Sequence, residues 1–250
     1  MLKRTLVAVA ALSLLTLAGC SDDDSGDDDA TGTDTSAAAT PSQSTTSSER
    51  PSNTPDEGST TAADCVYPAD GQEPARDVDP PAATPAYSGE VKATISTTAG
   101  ELPITLDADH APCTVNSFVS LAEQGFYDDT PCPRLATDPG FVLLQCGDPT
   151  GTGAGGPGYT IPDEFASDET YPAGTLAMAN TGMPNSGGSQ FFICIEDTQL
   201  APSYTAFGTV DAAGIEALTK VAEAGDDGSH PAGGGKPKIP VDITSVSVDS

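Results

Sequence analysis

Two runs, VKATIST at 91–97 and ELPITLD at 101–107, alternate apolar with polar residues on either side of Thr98-Ala99-Gly100. A period of two predicts strands with one buried face, and the short glycine-bearing connection predicts a hairpin. The period then changes. In CTVNSFVSLAEQG, Val115, Phe118, Val119, Leu121 and Ala122 recur at helical spacing, with Pro112 ahead, Thr114 as the expected N-cap and Gly125 as the stop. A second helix is predicted in DAAGIEALTKVAEAG, from 211 or 212 to 224. FVLLQC, GTLAMAN, SQFFICI, TAFGTV and PVDITSVSV are short apolar runs separated by glycine and proline. Many short strands with only two helices predict a mainly β domain, a closed antiparallel barrel with helices over its ends.

The front of the chain follows neither period. Residues 1–20, MLKRTLVAVAALSLLTLAGC, have a basic start, an apolar run and then small residues. The run is shorter than the ~20 residues that cross a bilayer, so it predicts an export signal. Its last four residues, LAGC, resemble the lipobox of bacterial lipoproteins. That resemblance implies lipidation at Cys20, which would anchor the protein to the cell membrane on its extracytoplasmic face. Residues 21–86 are rich in Asp, Ser, Thr, Pro and Gly and carry little to bury, so they are expected to be a disordered acidic tether. The folded domain is expected to occupy 87–250.

Charge narrows the partners. The sequence carries 9 Lys and Arg against 37 Asp and Glu, a formal net charge of -28. From Tyr87 onward the cations are Lys92, Arg134, Lys220, Lys236 and Lys238, too few to neutralise a row of phosphates, so nucleic acid is excluded as a partner. Of the 6 cysteines, Cys20 is assigned to lipid and Cys194, inside FFICI, to the core. Cys65, Cys113, Cys132 and Cys146 are then expected to form disulfides in an oxidising compartment, with three pairings open. There is no CxxC and the only histidines are His110 and His230, which argues against zinc or a thioredoxin-like centre. Gly151, Gly153 and Gly156 satisfy G-x-G-x-x-G, but Pro157 and Pro162 follow and no βαβ unit surrounds them, so the stretch predicts a surface loop. No cofactor or metal is expected.

PCPRL, LLQCGDPTGTGAGGPGYTIPDEF, YPAGTLAMANTG, NSGGSQFFICI and YTAFGTV occur in one order and spacing across 131–210. In these the chain resembles the cyclophilins, peptidyl-prolyl cis-trans isomerases, from about 91 to 248. The resemblance implies an eight-stranded antiparallel β-barrel capped by two α-helices, proline-containing polypeptides as substrates and no cofactor; a monomer is expected. It further implies Arg134 as the catalytic arginine and Gln145 as the glutamine that orients it. Ala179 and Asn180 correspond to the edge that binds substrate backbone, Gln190 to a polar contact and Phe192 to the floor of the proline pocket. Residues two apart share a face of a strand, so Gln190 and Phe192 should face the site and Phe191 the core.

The chain also departs from the family pattern. Ten residues separate Arg134 from Gln145 where seven are usual, so ATDPG is expected to form an enlarged loop. Counting back by alternation, Leu143 takes the place of the family's methionine, and Phe141 or Val142 that of its phenylalanine. Met183 is an apparent insertion between Asn180 and Gln190. Leu200 keeps its place in the pocket, but Gln199 stands where many members have tryptophan and Tyr204 where they have histidine. Tyrosine retains a hydroxyl donor, so activity is expected to survive. The missing indole predicts weak cyclosporin binding. The rival expectation is a catalytically weak module that binds proline peptides in the envelope.

Overall fold

The computed structural model describes residues 64–249; the expected signal segment, Cys20 and most of the tether lie outside them. The first hairpin forms as its alternation predicts. β1 (Glu90–Thr97) and β2 (Gly100–Asp107) pair antiparallel, so that Val91 meets Leu106, Ala93 meets Ile104 and Ile95 meets Leu102 on one buried face. Then come α1 (Pro112–Glu123), β3 (Thr130–Pro131), β4 (Arg134–Asp138), β5 (Phe141–Cys146), β6 (Thr175–Met178), β7 (Phe191–Cys194), β8 (Ala206–Val210), α2 (Ala212–Ala224) and β9 (Asp242–Val248).

These strands form one sheet in the order β3-β9-β1-β2-β8-β6-β7-β5-β4. The expected closed eight-stranded barrel is therefore corrected to a curled nine-stranded half-barrel whose edges, β3 and β4, do not pair. Sequence chemistry explains the gap. Pro131 and Pro133 flank it and have no N–H to give a ladder, and the Cys132 N–H between them goes to the Val241 carbonyl at 2.8 Å. The exposed side of β4 is instead covered by the segment between α2 and β9, through reciprocal bonds between Leu135 and Gly235 of 2.7 and 2.8 Å. Gly234 makes this approach feasible. Its φ is +73°, and a Cβ there would collide with the Leu135 carbonyl oxygen.

Both helices lie where the periodicity places them, but α1 begins differently. Its N-cap is Ala111, with no side-chain cap, and Pro112 occupies the first turn. The Thr114 expected as the cap is already helical. Its backbone N–H donates to Glu164 Oε2 at 2.8 Å and that of Cys113 to Glu164 Oε1 at 2.9 Å, so a carboxylate fifty residues away caps the helix. The other end stops at Gly125, φ +68°, with Phe126 N–H bonded to Leu121 O and Gly125 N–H to Ala122 O, a Schellman closure. α2 starts from Asp211, which accepts from Gly214 N–H at 2.9 Å. α1 packs against β9 and β2, and α2 against β2 and β4. Phe118 on α1 meets Tyr127, Phe191 and Phe207 with ring centroids 5.1–5.7 Å apart, which fixes the helix over the concave core.

The domain begins earlier than expected. Residues 64–86, assigned above to the tether, are joined to the body by a Cys65–Cys113 disulfide. The Tyr67 hydroxyl donates to Cys113 O at 3.0 Å, Thr160 N–H reaches Pro68 O, and Ala75 N–H reaches Gly156 O. Cys132 pairs with Cys146, and Cys194 is a free thiol buried in the sheet. Among the described residues no helix is long and apolar enough to cross a membrane.

Candidate active site

The sheet separates two apolar clusters. Phe191 belongs to the main core, while Phe192 joins Ala136, Leu143, Tyr171, Ala177 and Cys194 on the opposite face. Strand parity produces this division. In the β5–β7 ladder Gln145 lies beside Phe192 and Leu143 beside Cys194, and in the β4–β5 ladder Arg134 lies beside Gln145 and Ala136 beside Leu143. One face thus collects a cation, an amide and an apolar floor from strands that are distant in sequence.

Above that floor is a pocket of about 220 Å³ lined by Arg134, Phe141, Leu143, Gln145, Ala179, Asn180, Phe192, Leu200, Tyr204 and His230. Phe141 is the member of the Phe141/Val142 alternative that lines it; Val142 is buried in the main core on the other face. Gln190 lies just outside, in an adjoining groove of about 450 Å³ that shares Gln145, Ala179 and Asn180 with the pocket and includes Gly187 and Gly188. Asp70 and Gln72, from the segment expected to be a tether, also line that groove.

The enlarged loop expected between Arg134 and Gln145 is not an open loop. Pairing continues from Arg134↔Gln145 to Asp138↔Phe141, which leaves only Pro139 and Gly140 in the turn. The extra residues extend the hairpin, so Arg134 starts from a fixed strand. Met183, the apparent insertion, is an exposed side chain in the turn after Asn180.

Arg134 is half-buried and held at three of its nitrogens. Nη1 donates to Gln145 Oε1 at 3.1 Å, Nε to Gly233 O at 3.1 Å and Nη2 to Ala232 O at 2.9 Å. Its guanidinium carbon lies 5.5 Å from the centroid of Phe141. Burial lowers the guanidinium from its ordinary value and Tyr204 raises it slightly; the group remains cationic because arginine starts so high. A guanidinium has five N–H donors, so three bonds orient it while two donors stay free for a guest.

The network continues through amides. Gln145 Nε2 donates to Gln190 Oε1 at 2.9 Å, and Gln190 Nε2 donates to the carbonyls of Gly153 and Gly155 at 3.1 and 3.0 Å. The rejected G-x-G-x-x-G loop thus serves as a carbonyl platform. Asp148, fully buried, gathers it by accepting from the backbone N–H groups of Thr150, Thr152, Gly153 and Gly155 at 2.7–3.1 Å. Burial alone would raise the Asp148 carboxyl, but the bonds from Thr150, Gly155 and Gly153 outweigh it and hold the group below its ordinary value.

The pocket's other wall is aromatic. Phe192 and Tyr204 meet edge to face with centroids 5.3 Å apart. The Tyr171 hydroxyl donates to Tyr204 O and accepts from Tyr204 N–H, both at 2.9 Å, so Tyr204 is held at its backbone. Asn180 commits its side chain inward, with Nδ2 to Ser203 O at 2.8 Å and Oδ1 accepting from Gly182 N–H at 3.0 Å. What it offers a guest is therefore its backbone edge. Gln199 bonds through its backbone to Gly140 and is not part of the pocket lining.

Sequence reasoning missed His230, Tyr171 and Asp148. His230 lies 96 positions from Arg134 in a stretch with no periodicity, and only the fold brings the two together. Asp148 could have been found as the acid that opens a glycine-rich turn.

Known proteins resemble this chain in sequence and fold. The family model described as "Cyclophilin type peptidyl-prolyl cis-trans isomerase/CLD" matches residues 92–248. The chain is 44% identical over 203 residues to "Probable peptidyl-prolyl cis-trans isomerase B" of Mycobacterium tuberculosis, covering 75% of this chain and 64% of that protein. It therefore spans slightly less than two thirds of that relative. It is 39% identical over 180 residues to "Peptidyl-prolyl cis-trans isomerase A" of the same organism, covering 62% of this chain and 91% of that one. Among solved structures, a cyclophilin type peptidyl-prolyl cis-trans isomerase of Cryptosporidium parvum superposes with TM-score 0.57 at 31% identity, covering 64% of this chain and 98% of its own. A second structure of it, in the presence of the dipeptide Ala-Pro, gives TM-score 0.55 at 30% identity, covering 64% and 99%.

Proposed function

The chain belongs to the cyclophilin-type peptidyl-prolyl cis-trans isomerase family, and we propose that it catalyses rotation about X-Pro bonds in exported polypeptides at the cell envelope. The observation that carries the reading is the oriented Arg134 over an apolar floor of Leu143 and Phe192.

The chemistry needs no nucleophile. An X-Pro bond resists rotation by ~18–20 kcal/mol because the nitrogen lone pair is shared with the carbonyl, and uncatalysed exchange takes tens of seconds or longer. A proline ring seated on Phe192, Leu143 and Leu200 would leave water. The free N–H groups of Arg134 would then reach the prolyl amide and draw on its nitrogen lone pair, weakening resonance as the bond twists. Because Gln145, Ala232 and Gly233 already hold the guanidinium, little reorganisation opposes that step. The backbone edge at Ala179 and Asn180 would hold the flanking peptide while the bond turns.

Placement at the envelope rests on the sequence of residues 1–20, with Cys20 as the lipidated residue and 21–63 as the spacer, and two disulfides suit an oxidising compartment. On this reading the protein acts as a monomer. The absence of an indole from the pocket supports weak cyclosporin inhibition; sub-micromolar inhibition of the purified chain would refute it. The rival reading, a binding module with little turnover, would be favoured by a loose stretch beside Arg134, and that stretch is a paired hairpin.

Exchange NMR on a short Ala-Pro peptide tests the activity without a coupling protease. Wild-type chain should accelerate interconversion, and Arg134→Ala should remove roughly 100-fold or more of that acceleration, the usual cost of deleting an electrostatic donor. Peptide shifts without acceleration by folded wild type would favour the binding module.

A further inference from the structure

We infer that His230 is a positioning residue for Arg134, because its unprotonated Nδ1 holds the turn whose carbonyls grip the guanidinium. The inference rests on the isomerase reading of the pocket and deepens it. Ala232 N–H donates to His230 Nδ1 at 3.2 Å. A backbone N–H is always a donor, so Nδ1 must be bare and the ring proton must sit on Nε2. Two further bonds close the same turn: His230 N–H to Gly234 O at 3.0 Å, and Gly233 N–H to His230 O at 3.1 Å. The carbonyls of Ala232 and Gly233, thus fixed, supply two of the three acceptors on Arg134.

Protonation of the imidazole undoes this twice over. Nδ1 becomes a donor facing a donor, and a second positive charge appears beside Arg134 in the same pocket. Both effects release the turn. Of the charged and titratable groups around it, Arg134 from β4 acts on the ring directly, Tyr204 and Lys236 line the same cavities, Asp227 of its own segment binds the Ser229 and Lys236 N–H groups, and Asp138 lies near Gly233. His230 is exposed; what desolvation it undergoes, and then Arg134, push its imidazole below the ordinary value. Asp227 accepts from Ser229 and Lys236 N–H groups, which hold its carboxyl below its usual range, so it stays ionised while His230 titrates. Activity should fall as pH drops below the ordinary histidine value of about 6.5.

The test is Ala-Pro exchange NMR on the purified full chain between about pH 5 and 8, spanning the histidine range, with His230→Ala and His230→Asn. Asparagine can accept from the N–H two residues on but does not titrate. Wild type should lose roughly tenfold in kcat/KM across the acid limb, the scale of losing hydrogen bonds to a charged group. His230→Ala should be low and flat with pH, and His230→Asn should recover most of that loss and also be flat. Independently of turnover, the Arg134 Nε–H resonance should titrate with the His230 ring. A flat wild-type profile, an acid limb kept in His230→Asn, full neutral activity in His230→Ala, or an Arg134 resonance indifferent to pH would each overturn the inference. Absence of acceleration at any pH, with the Arg134 resonance still following His230, would instead overturn the isomerase reading and leave the coupling standing.

Discussion

Gln145 and Gln190 face each other amide to amide at 2.9 Å, and each can point only one way. Arg134 has only donors, so Gln145 must turn its oxygen to it; the carbonyls of Gly153 and Gly155 have only acceptors, so Gln190 must turn its nitrogen to them. The remaining oxygen and nitrogen then meet in the middle. A glycine-rich loop thereby sets the direction in which a cation points, through two neutral groups.

Breaking the relay at either amide should therefore cost activity without removing the cation. Gln145→Leu deletes a hydrogen bond to a charged group, worth about 1.5–3 kcal/mol, and should lower kcat/KM roughly 10- to 100-fold at about 1.4 kcal/mol per tenfold. Gln190→Leu, one bond further away, should cost less. Steady-state rates on one Ala-Pro peptide check both; equal losses would mean that Gln190 contacts substrate directly.

Asp148 extends the relay to acid stability. Its carboxyl is held below its ordinary value in the folded state, so the stability it confers is complete above the unfolded value of about 3.9 and is lost as pH falls through the lower folded one. Asp148→Asn should reduce stability by about 1–3 kcal/mol at neutral pH, because buried donors lose their acceptor. Urea denaturation from neutral pH down to about 2.5, more than a unit below the unfolded value, should show the difference between wild type and variant constant above that value and shrinking below it. A constant difference throughout would mean that the carboxylate charge is irrelevant.

The Cys132–Cys146 disulfide brackets the Arg134↔Gln145 pair, with Cys132 two residues before the arginine and Cys146 next to the glutamine. Its sequence separation of 14 corresponds to about 3 kcal/mol of loop-closure entropy, or roughly 6–12 °C in Tm. The Cys132→Ser/Cys146→Ser chain should lose that stability and also show a lower kcat/KM at temperatures where it is fully folded. Cys65→Ser/Cys113→Ser, outside the pocket lining, should lose stability while keeping its kcat/KM on Ala-Pro. Equal kcat/KM in both double variants would separate the site from its disulfide.

Much of this arrangement could be read from the sequence, and the rest fails for identifiable reasons. Period two separated Phe191 from Phe192 because the run FFIC is unbroken. It could not choose between Phe141 and Val142, since the longer Arg134–Gln145 interval left open which extra residues were paired and which were looped. The open edge between β3 and β4 was hidden because a two-residue strand carries no period, although Pro131 and Pro133 are visible in the sequence. His230 reaches Arg134 only through the pairing of Gly235 with Leu135, a contact that no local pattern encodes.

Residues 64–86 were misread because composition reports what a segment can bury, not what it is tied to. Cys65 is buried, and its bond to Cys113 spans 48 positions, about 4 kcal/mol by the same entropy relation. Tyr67 lies edge to face with Tyr159, and Gln124 holds Asp79 by both its amide ends. A polar segment with few apolar anchors is thus made part of the body by a covalent one. A chain beginning at 87, with Cys113→Ser to avoid a loose thiol, should melt roughly 10 °C below one beginning at 64. Because Asp70 and Gln72 line the groove beside the proline pocket, the shorter chain should also lose affinity for peptides extended from the X-Pro unit more than for Ala-Pro itself. Calorimetry and peptide titration check the two halves separately, and matching melting temperatures would return the segment to the status of a tether.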